Sequence, residues 1–416
     1  LVAYAVCERV AWVFKTETVI MPAFLDAVGG SGFARGLLPV LSRLGSSLPQ
    51  YLLAPSLQTA PRIAAVLAFA TFGQAVPWLV LGGLCLLGEG SAGGRWIVGF
   101  LVGYTVFWIA NGMVLLTQGL LQGKLVPYLW RGRLLAVSNS AGAAAGIAAI
   151  VAWMVPTMRT GPGVGAGGFA AIFLATGSFF ALSAGWCLAL SEPTTATAGP
   201  GAGWRDFLRA SIKLLRGDAD YRRLTAVLTM HYMLLALVPH FASFSAQRLG
   251  SRAIDLAIWV IVQNIGTALG SALWGPTADR KGNRFVLQLL LASLALAPLI
   301  AVVFSELPPG VGRSLYWLVF VILGFMPVSQ RIYVNYLLEL APADEHPRYL
   351  GTFHLWQCVA VVFAPLVGWL VDLVSYQAVF LFGSACIIGS AFLAGRLTEP
   401  RDVQNDVAAA IASTKR

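Results

Sequence analysis

The sequence predicts an all-α integral membrane protein, with twelve transmembrane helices arranged as two pseudo-symmetric six-helix bundles. Three observations carry this: an apolar, charge-poor composition, twelve apolar runs of about 20 residues, and matching short motifs in corresponding loops of the two halves.

Of the 416 residues, 58% are hydrophobic and 11% charged, and the mean hydropathy of +0.76 lies far outside that of water-soluble domains. A net charge of +10 would suit nucleic acid, but the basic residues are scattered over short connections and form no continuous patch, so no nucleic-acid partner is expected. Cys7, Cys85, Cys187, Cys358 and Cys386 lie within or beside apolar runs, far apart and without metal-ligand spacing. They read as small hydrophobes, and neither metal nor cofactor is expected. The chain opens at Leu1 inside an apolar stretch whose early charges fit a cleaved signal peptide poorly, so a few residues are expected before it.

The first span, about residues 2–27, holds Glu8, Arg9, Lys15, Glu17 and Asp26, and the second, 36–57, holds Arg43. Charges within a span are costly and are expected to face a wet cavity or a partner. Four uninterrupted spans follow at 63–88, 96–121, 134–158 and 169–190. Between 191 and 223 the chain turns to Thr, Gly and Pro and then to Trp204-Arg-Asp-Phe-Leu-Arg-Ala-Ser-Ile-Lys-Leu-Leu-Arg216, a linker leading into a basic amphipathic helix expected on the membrane surface. Spans at 224–247, 256–278, 285–305, 314–338 (with Arg331), 349–371 and 373–395 complete the twelve. The expected domains are therefore 1–190, a linker at 191–223, 224–398 and a tail at 399–416. Lys and Arg number 18 on the side of the termini and the even-numbered connections and 6 on the other. That bias predicts cytoplasmic termini, in a bacterial-type inner (plasma) membrane.

The halves echo each other. Pro127 and Arg133 after the fourth span recur as Pro342 and Arg348 after the tenth, and Ala54-Pro-Ser-Leu-Gln58 recurs as Gly275-Pro-Thr-Ala-Asp279. The latter opens Gly275-Pro-Thr-Ala-Asp279-Arg280-Lys281-Gly282-Asn283-Arg284, read as a tight charged loop between the eighth and ninth spans. Its end glycines would let the backbone turn and two helices approach, and its cations favour the cytoplasmic face, which leaves Asp279 needing a local role. The stretch resembles the Gly-x-x-x-Asp-Arg-x-Gly-x-Arg loop of the major facilitator superfamily, as Arg131-Gly-Arg133 resembles the family's pattern before the fifth span. The resemblance implies a twelve-span secondary transporter in which Gly275, Asp279, Arg280, Gly282 and Arg284 latch one conformation, Asp279 pairing with the tenth-to-eleventh connection or capping the eleventh helix. The first-half loop departs from it, with Gln58 in place of Asp.

No enzyme motif is visible. Gly119-Leu-Leu-Gln-Gly123-Lys124-Leu125 lacks the spacing and the Ser or Thr of a phosphate loop, Gly163, Gly165 and Gly168 follow no strand, and there is no His-Glu-x-x-His or Gly-x-Ser-x-Gly. What remains is a set of polar residues inside spans: Lys15 and Glu17; Asn111, Thr117 and Gln118; Gln263 and Asn264; Arg331 and Asn335; His354 and Gln357. A single Asn, Gln or Thr more often bonds helix to helix, whereas Lys15, Glu17 and Arg331 are expected to serve a small-molecule substrate or a coupling proton. Glu17 reads either as a proton carrier or as a static partner of Lys15 or Arg9, and His231 and His240 either as proton carriers or as plain hydrogen-bonding groups. Gly142-Ala-Ala-Ala-Gly146 on the fifth span is a face for close helix packing. The expected function is secondary active transport of a small solute by a monomer, coupled to a proton or solute gradient. The competing class is a non-transporting sensor or assembly factor on the same scaffold.

Overall fold

The structure, a computed structural model, describes residues 1–58, 62–87, 93–125, 128–154, 164–190, 192, 204–342 and 345–399. Nine helices among the described residues are long and apolar enough to cross a membrane. The interrupted first span, the second (Gly32–Gln58) and the fifth (Tyr128–Ala149, extended by the π-helical turn Ile150–Met154) bring the total to the expected twelve. Helix suits these spans, because hydrocarbon offers no partner for a main-chain N–H or C=O and an intrasegment ladder satisfies both.

Helix contacts recur with a shift of six spans. The third span (Ile63–Leu86) packs on the sixth (Ala166–Leu188), as the ninth (Asn283–Glu306) does on the twelfth (Tyr376–Ala394). The first packs on the fifth and sixth, and the seventh (Ala219–Leu249) on the eleventh (Arg348–Leu373) and twelfth. The second packs on the fourth (Gly94–Leu125), and the eighth (Ala253–Lys281) meets the tenth (Pro309–Leu340). Small residues set these contacts. A Cβ on Gly142 would lie 2.5 Å from the Arg9 Cβ and one on Gly146 2.8 Å from the Val13 Cβ, so the small-residue face of the fifth span seats the first as expected. In the other half, the Thr267 hydroxyl donates to the Gly324 carbonyl at 2.8 Å.

The chain clusters into two compact units that do not coincide with the halves. One holds Leu1–Trp204 with Val238–Ile261 and Ala364–Leu373, so the ends of the seventh, eighth and eleventh spans belong with the first six. The other holds Arg205–Leu237, Val262–Phe363 and the chain from Val374 onward. Within it the amphipathic helix Trp204–Gly217 buries Ser211 and Leu214, and Ser211 bonds Thr352 of the eleventh span at 2.9 Å.

Several boundaries differ from expectation. The charged stretch from Gly275 to Arg284 is no ten-residue loop. The eighth span stays helical through Pro276 to Lys281, and the turn is made by Gly282 alone, at φ +87°. Gly275 has open space around it, so it mediates no close approach. The tenth span is three helices, Pro309–Leu315, Trp317–Leu323 and Met326–Leu340. Arg35, assigned from sequence to a connection, lies inside the second span and is buried.

Candidate functional site

Residues Lys15 to Val19 separate the two helices of the first span, Val2–Phe14 and Ile20–Ala27. Thr16, Thr18 and Val19 are β-branched and lose rotamer freedom in a helix. The Thr16 hydroxyl turns back to the Val13 carbonyl at 2.7 Å, and its carbonyl accepts the Ile20 N–H at 2.9 Å. Pro22 sits in the first turn of the second piece, where its missing N–H costs nothing. These signals stood in the sequence beside Lys15 and Glu17, whose charges already interrupt the apolar run. Discontinuous spans are where transporters place substrate and coupling sites, because the break frees main-chain polar groups.

Lys15 is fully buried. Its Nζ lies 4.0 Å from the ring centre of Phe107, 4.5 Å from Trp12, 4.7 Å from Trp108, 5.4 Å from Tyr104 and 5.6 Å from Trp78. A desolvated contact of this kind is worth about 2 kcal/mol. The ammonium also pairs with one Glu17 oxygen, and the Tyr104 hydroxyl donates to the other. Ser42 and Arg43 of the second span lie beside Tyr104. With 27% of its side chain exposed against 0% for Lys15, Glu17 is the reachable member of the pair. Lys15 lies behind it, enclosed by the rings. Tyr104, Phe107 and Trp108 share a helix face by their i, i+3, i+4 spacing, but no local signal tied that face to Lys15.

The other expected residues fall into separate groups. Asn111 is buried one turn beyond Phe107 and accepts from Gln74 at 2.9 Å, which joins the third and fourth spans. Gln118 is half-buried on the fourth span. In the second unit, Gln357 donates to Gln330 at 2.9 Å and lies 3.4 Å from His354. Arg331 and Asn335 are exposed one turn apart on the tenth span, and Gln263 and Asn264 are half-buried on the eighth. His231 is buried and stacked on Tyr333 with ring centres 5.7 Å apart.

At the motif, Asp279 and Arg280 are exposed on the last turn of the eighth span. Of the tenth-to-eleventh connection, which Asp279 is expected to meet unless it caps the eleventh helix, residues 343–344 lie outside the described residues. Arg284 instead reaches the end of the twelfth span. Its N–H donates to Glu399 at 3.2 Å and its guanidinium to the Leu397 carbonyl at 3.2 Å. Glu399 is buried and faces Gly282, which caps the ninth helix, so a carboxylate meets the positive end of that helix dipole. More than a hundred residues separate Glu399 from Arg284, and no local pattern announces the pairing.

The helices thus repeat one contact plan with a shift of six spans, and the Lys15–Glu17 ion pair sits at the break of the first. Residues 243–413, in the second half of the chain, match the sequence model of the Major Facilitator Superfamily. No curated protein matches the chain in sequence. Among solved structures, the nucleoside transporter NupG is similar at 13% identity and a TM-score of 0.68, covering 95% of this chain and 97% of that one. The D-xylose–proton symporter is similar at 14% identity and 0.66, covering 96% and 98%. The human organic anion transporter MFSD10 is similar at 16% identity and 0.59, covering 94% and 97%. At these identities the likeness is one of fold.

Proposed function

We propose that the protein moves a small solute by alternating access, the six-span halves 1–190 and 224–398 rocking as bodies, with transport coupled to a proton or solute gradient. The observation that carries this is the reachable Glu17 paired with caged Lys15 at the break of the first span. A buried pair costs desolvation and is a poor investment in stability alone, whereas a carboxylate that exchanges a proton as its surroundings change is a coupling device. The solved structures of similar fold include a proton symporter, which supports the proton as coupling ion. No chemical step is assigned, and Gln118, Gln263, Asn264, Arg331, Asn335, His354 and Gln357 remain candidates for solute contact.

The test starts with a thermal-shift screen of the purified protein against a solute library, since a ligand that binds only the folded form raises its melting temperature by mass action. A hit is then offered to vesicles with and without an imposed proton gradient. Accumulation only with the gradient supports proton coupling, and accumulation regardless of it removes the proton. Failure of every hit to cross counts against transport.

The sidedness follows from the cation bias. Reporter fusions after Arg416 and within 194–203 are expected on the cytoplasmic side and one after Gly161 outside, all three at positions outside the described residues. A carboxy-terminal reporter found outside overturns the arrangement.

A further inference from the structure

The break of the first span already holds one carboxylate, that of Glu17, and the manner of holding defines what else fits there. One Glu17 oxygen pairs with the Lys15 ammonium and the other accepts from the Tyr104 hydroxyl, so the group is received at both oxygens. Donors around it outnumber acceptors. An ammonium has three N–H groups, and among the described residues Glu17 is the one acid paired with it. The indole N–H of Trp78, buried in the same ring of aromatics, finds no acceptor among the described residues.

The fixed charges lean the same way. The third and sixth spans carry no Asp, Glu, Lys, Arg or His, the fifth carries only Arg131 and Arg133 in its first two turns, and the fourth only Arg95 and Lys124 near its ends. On the first span Glu8 and Arg9 answer each other two turns before Lys15. Asp26, at the far end, pairs with Arg35, whose Nε–H donates to His240. That leaves Lys15 and Glu17 with Arg43 of the second span, which lies beside Tyr104, two cations to one acid. Glu17 stands in the turn between the two helices of its span, so its side chain can leave Lys15 without unwinding either. A proton on Glu17 removes the countercharge, and an ammonium left alone in the interior is costly unless another anion arrives. Trp12 and Trp108 are half-buried at 4.5 Å and 4.7 Å from Nζ, with their rings 5.5 Å apart, and give such an anion a flat apolar wall.

We propose that the solute is an organic monocarboxylate, whose carboxylate replaces that of Glu17 between Lys15 and Tyr104 once Glu17 takes a proton, and whose apolar body rests on Trp12 and Trp108. One proton and one anion are then taken up together, and Lys15 is countered in both states. This rests on the transport reading above, but its test is one of binding. Acetate, butyrate, benzoate and indole-3-acetate are titrated onto the purified full chain, with benzamide, chloride and inorganic phosphate beside them. These carboxylates stay ionised above about pH 6. A fitting one should bind the parent more tightly as pH falls, by about tenfold per unit while Glu17 of the free protein is ionised. Glu17→Gln should bind it equally at about pH 6 and about pH 8, no more weakly than the parent does at the lower pH. The same probe should raise the melting temperature of Glu17→Gln, since it supplies the missing countercharge. Lys15→Met with Glu17→Gln should not bind it. If Glu17→Gln fails to fold, the pH slope of the parent and the loss of binding in the double variant decide. Benzamide binding as tightly as benzoate, phosphate or chloride protecting as well as a carboxylate, an affinity flat with pH in the parent, or no binding by any carboxylate overturns the assignment. A carboxylate that binds with this signature and crosses no vesicle membrane leaves the site standing and counts against transport. Accumulation of a neutral solute alone supports transport and overturns the solute class.

Discussion

Glu17→Gln is expected to abolish gradient-driven accumulation while solute exchange across vesicles persists. The variant keeps the shape of the side chain and its contact with Tyr104, and it removes both the titratable oxygen and the countercharge of Lys15. An ammonium left unpaired in the interior costs about 3–5 kcal/mol. The five rings offset part of this, so a lower melting temperature accompanies the loss of coupling. The double variant Lys15→Met with Glu17→Gln separates the causes, because an apolar side chain of similar length in the same cage is neutral or stabilising where a broken pair is not. Stability should then return and accumulation should stay lost. If accumulation returns with stability, the pair is a structural tie. If Glu17→Gln alone accumulates solute like the parent, Glu17 carries no coupling proton.

The second large effect is expected at the motif. Gly282 combines φ +87° with ψ 158°, a region open essentially to glycine alone, and a Cβ there would meet the Glu399 carboxylate at 2.5 Å. Gly282→Val therefore costs about 3 kcal/mol in backbone strain, and it pushes Glu399 off the start of the ninth helix. The protein should express poorly and melt early. Asp279→Asn changes a charge on an exposed last turn and no packing, so it should leave expression intact and slow transport. Measuring melting temperature and initial uptake rate on both variants separates fold from latch. Normal uptake by Asp279→Asn would reduce the motif to a topology signal, and a parent-like melting temperature for Gly282→Val would show that the turn tolerates a side chain.

The twelve spans were legible because hydrocarbon imposes a length and a composition on every one of them, and the fifth-span glycines were legible because small residues four apart form one face. Lys15 and Glu17 stood out as charges where charge is costly. Their surroundings did not. Trp12, Trp78 and Trp108 are three of 13 tryptophans, and nothing local distinguishes a ring that cages a lysine from one that fills a core. Arg35 was the larger miss. Four helical residues before the apolar run looked like a connection, so a buried fork was counted as a surface cation; Asp26, one partner, lies only nine residues away, but His240 and Asp372 lie 205 and more residues away in the seventh and eleventh spans. Glu399 was missed for the same reason. Contacts between helices distant in sequence depend on how the helices are arranged, and hydropathy carries no such information.

The second and eleventh spans cross at Gly32 and Gly368, where a Cβ on either would collide with the other's backbone, and this bears on how the contact responds to temperature. Interdigitated leucines freeze rotamers on closing and release them on opening, so a seam of that kind loosens steeply with heat. Two glycine backbones in contact have no rotamers to freeze. This contact should therefore carry little side-chain entropy of its own, and its strength should follow ionic strength, through the partly exposed Asp26 and Asp372 that pair with Arg35, more than warmth.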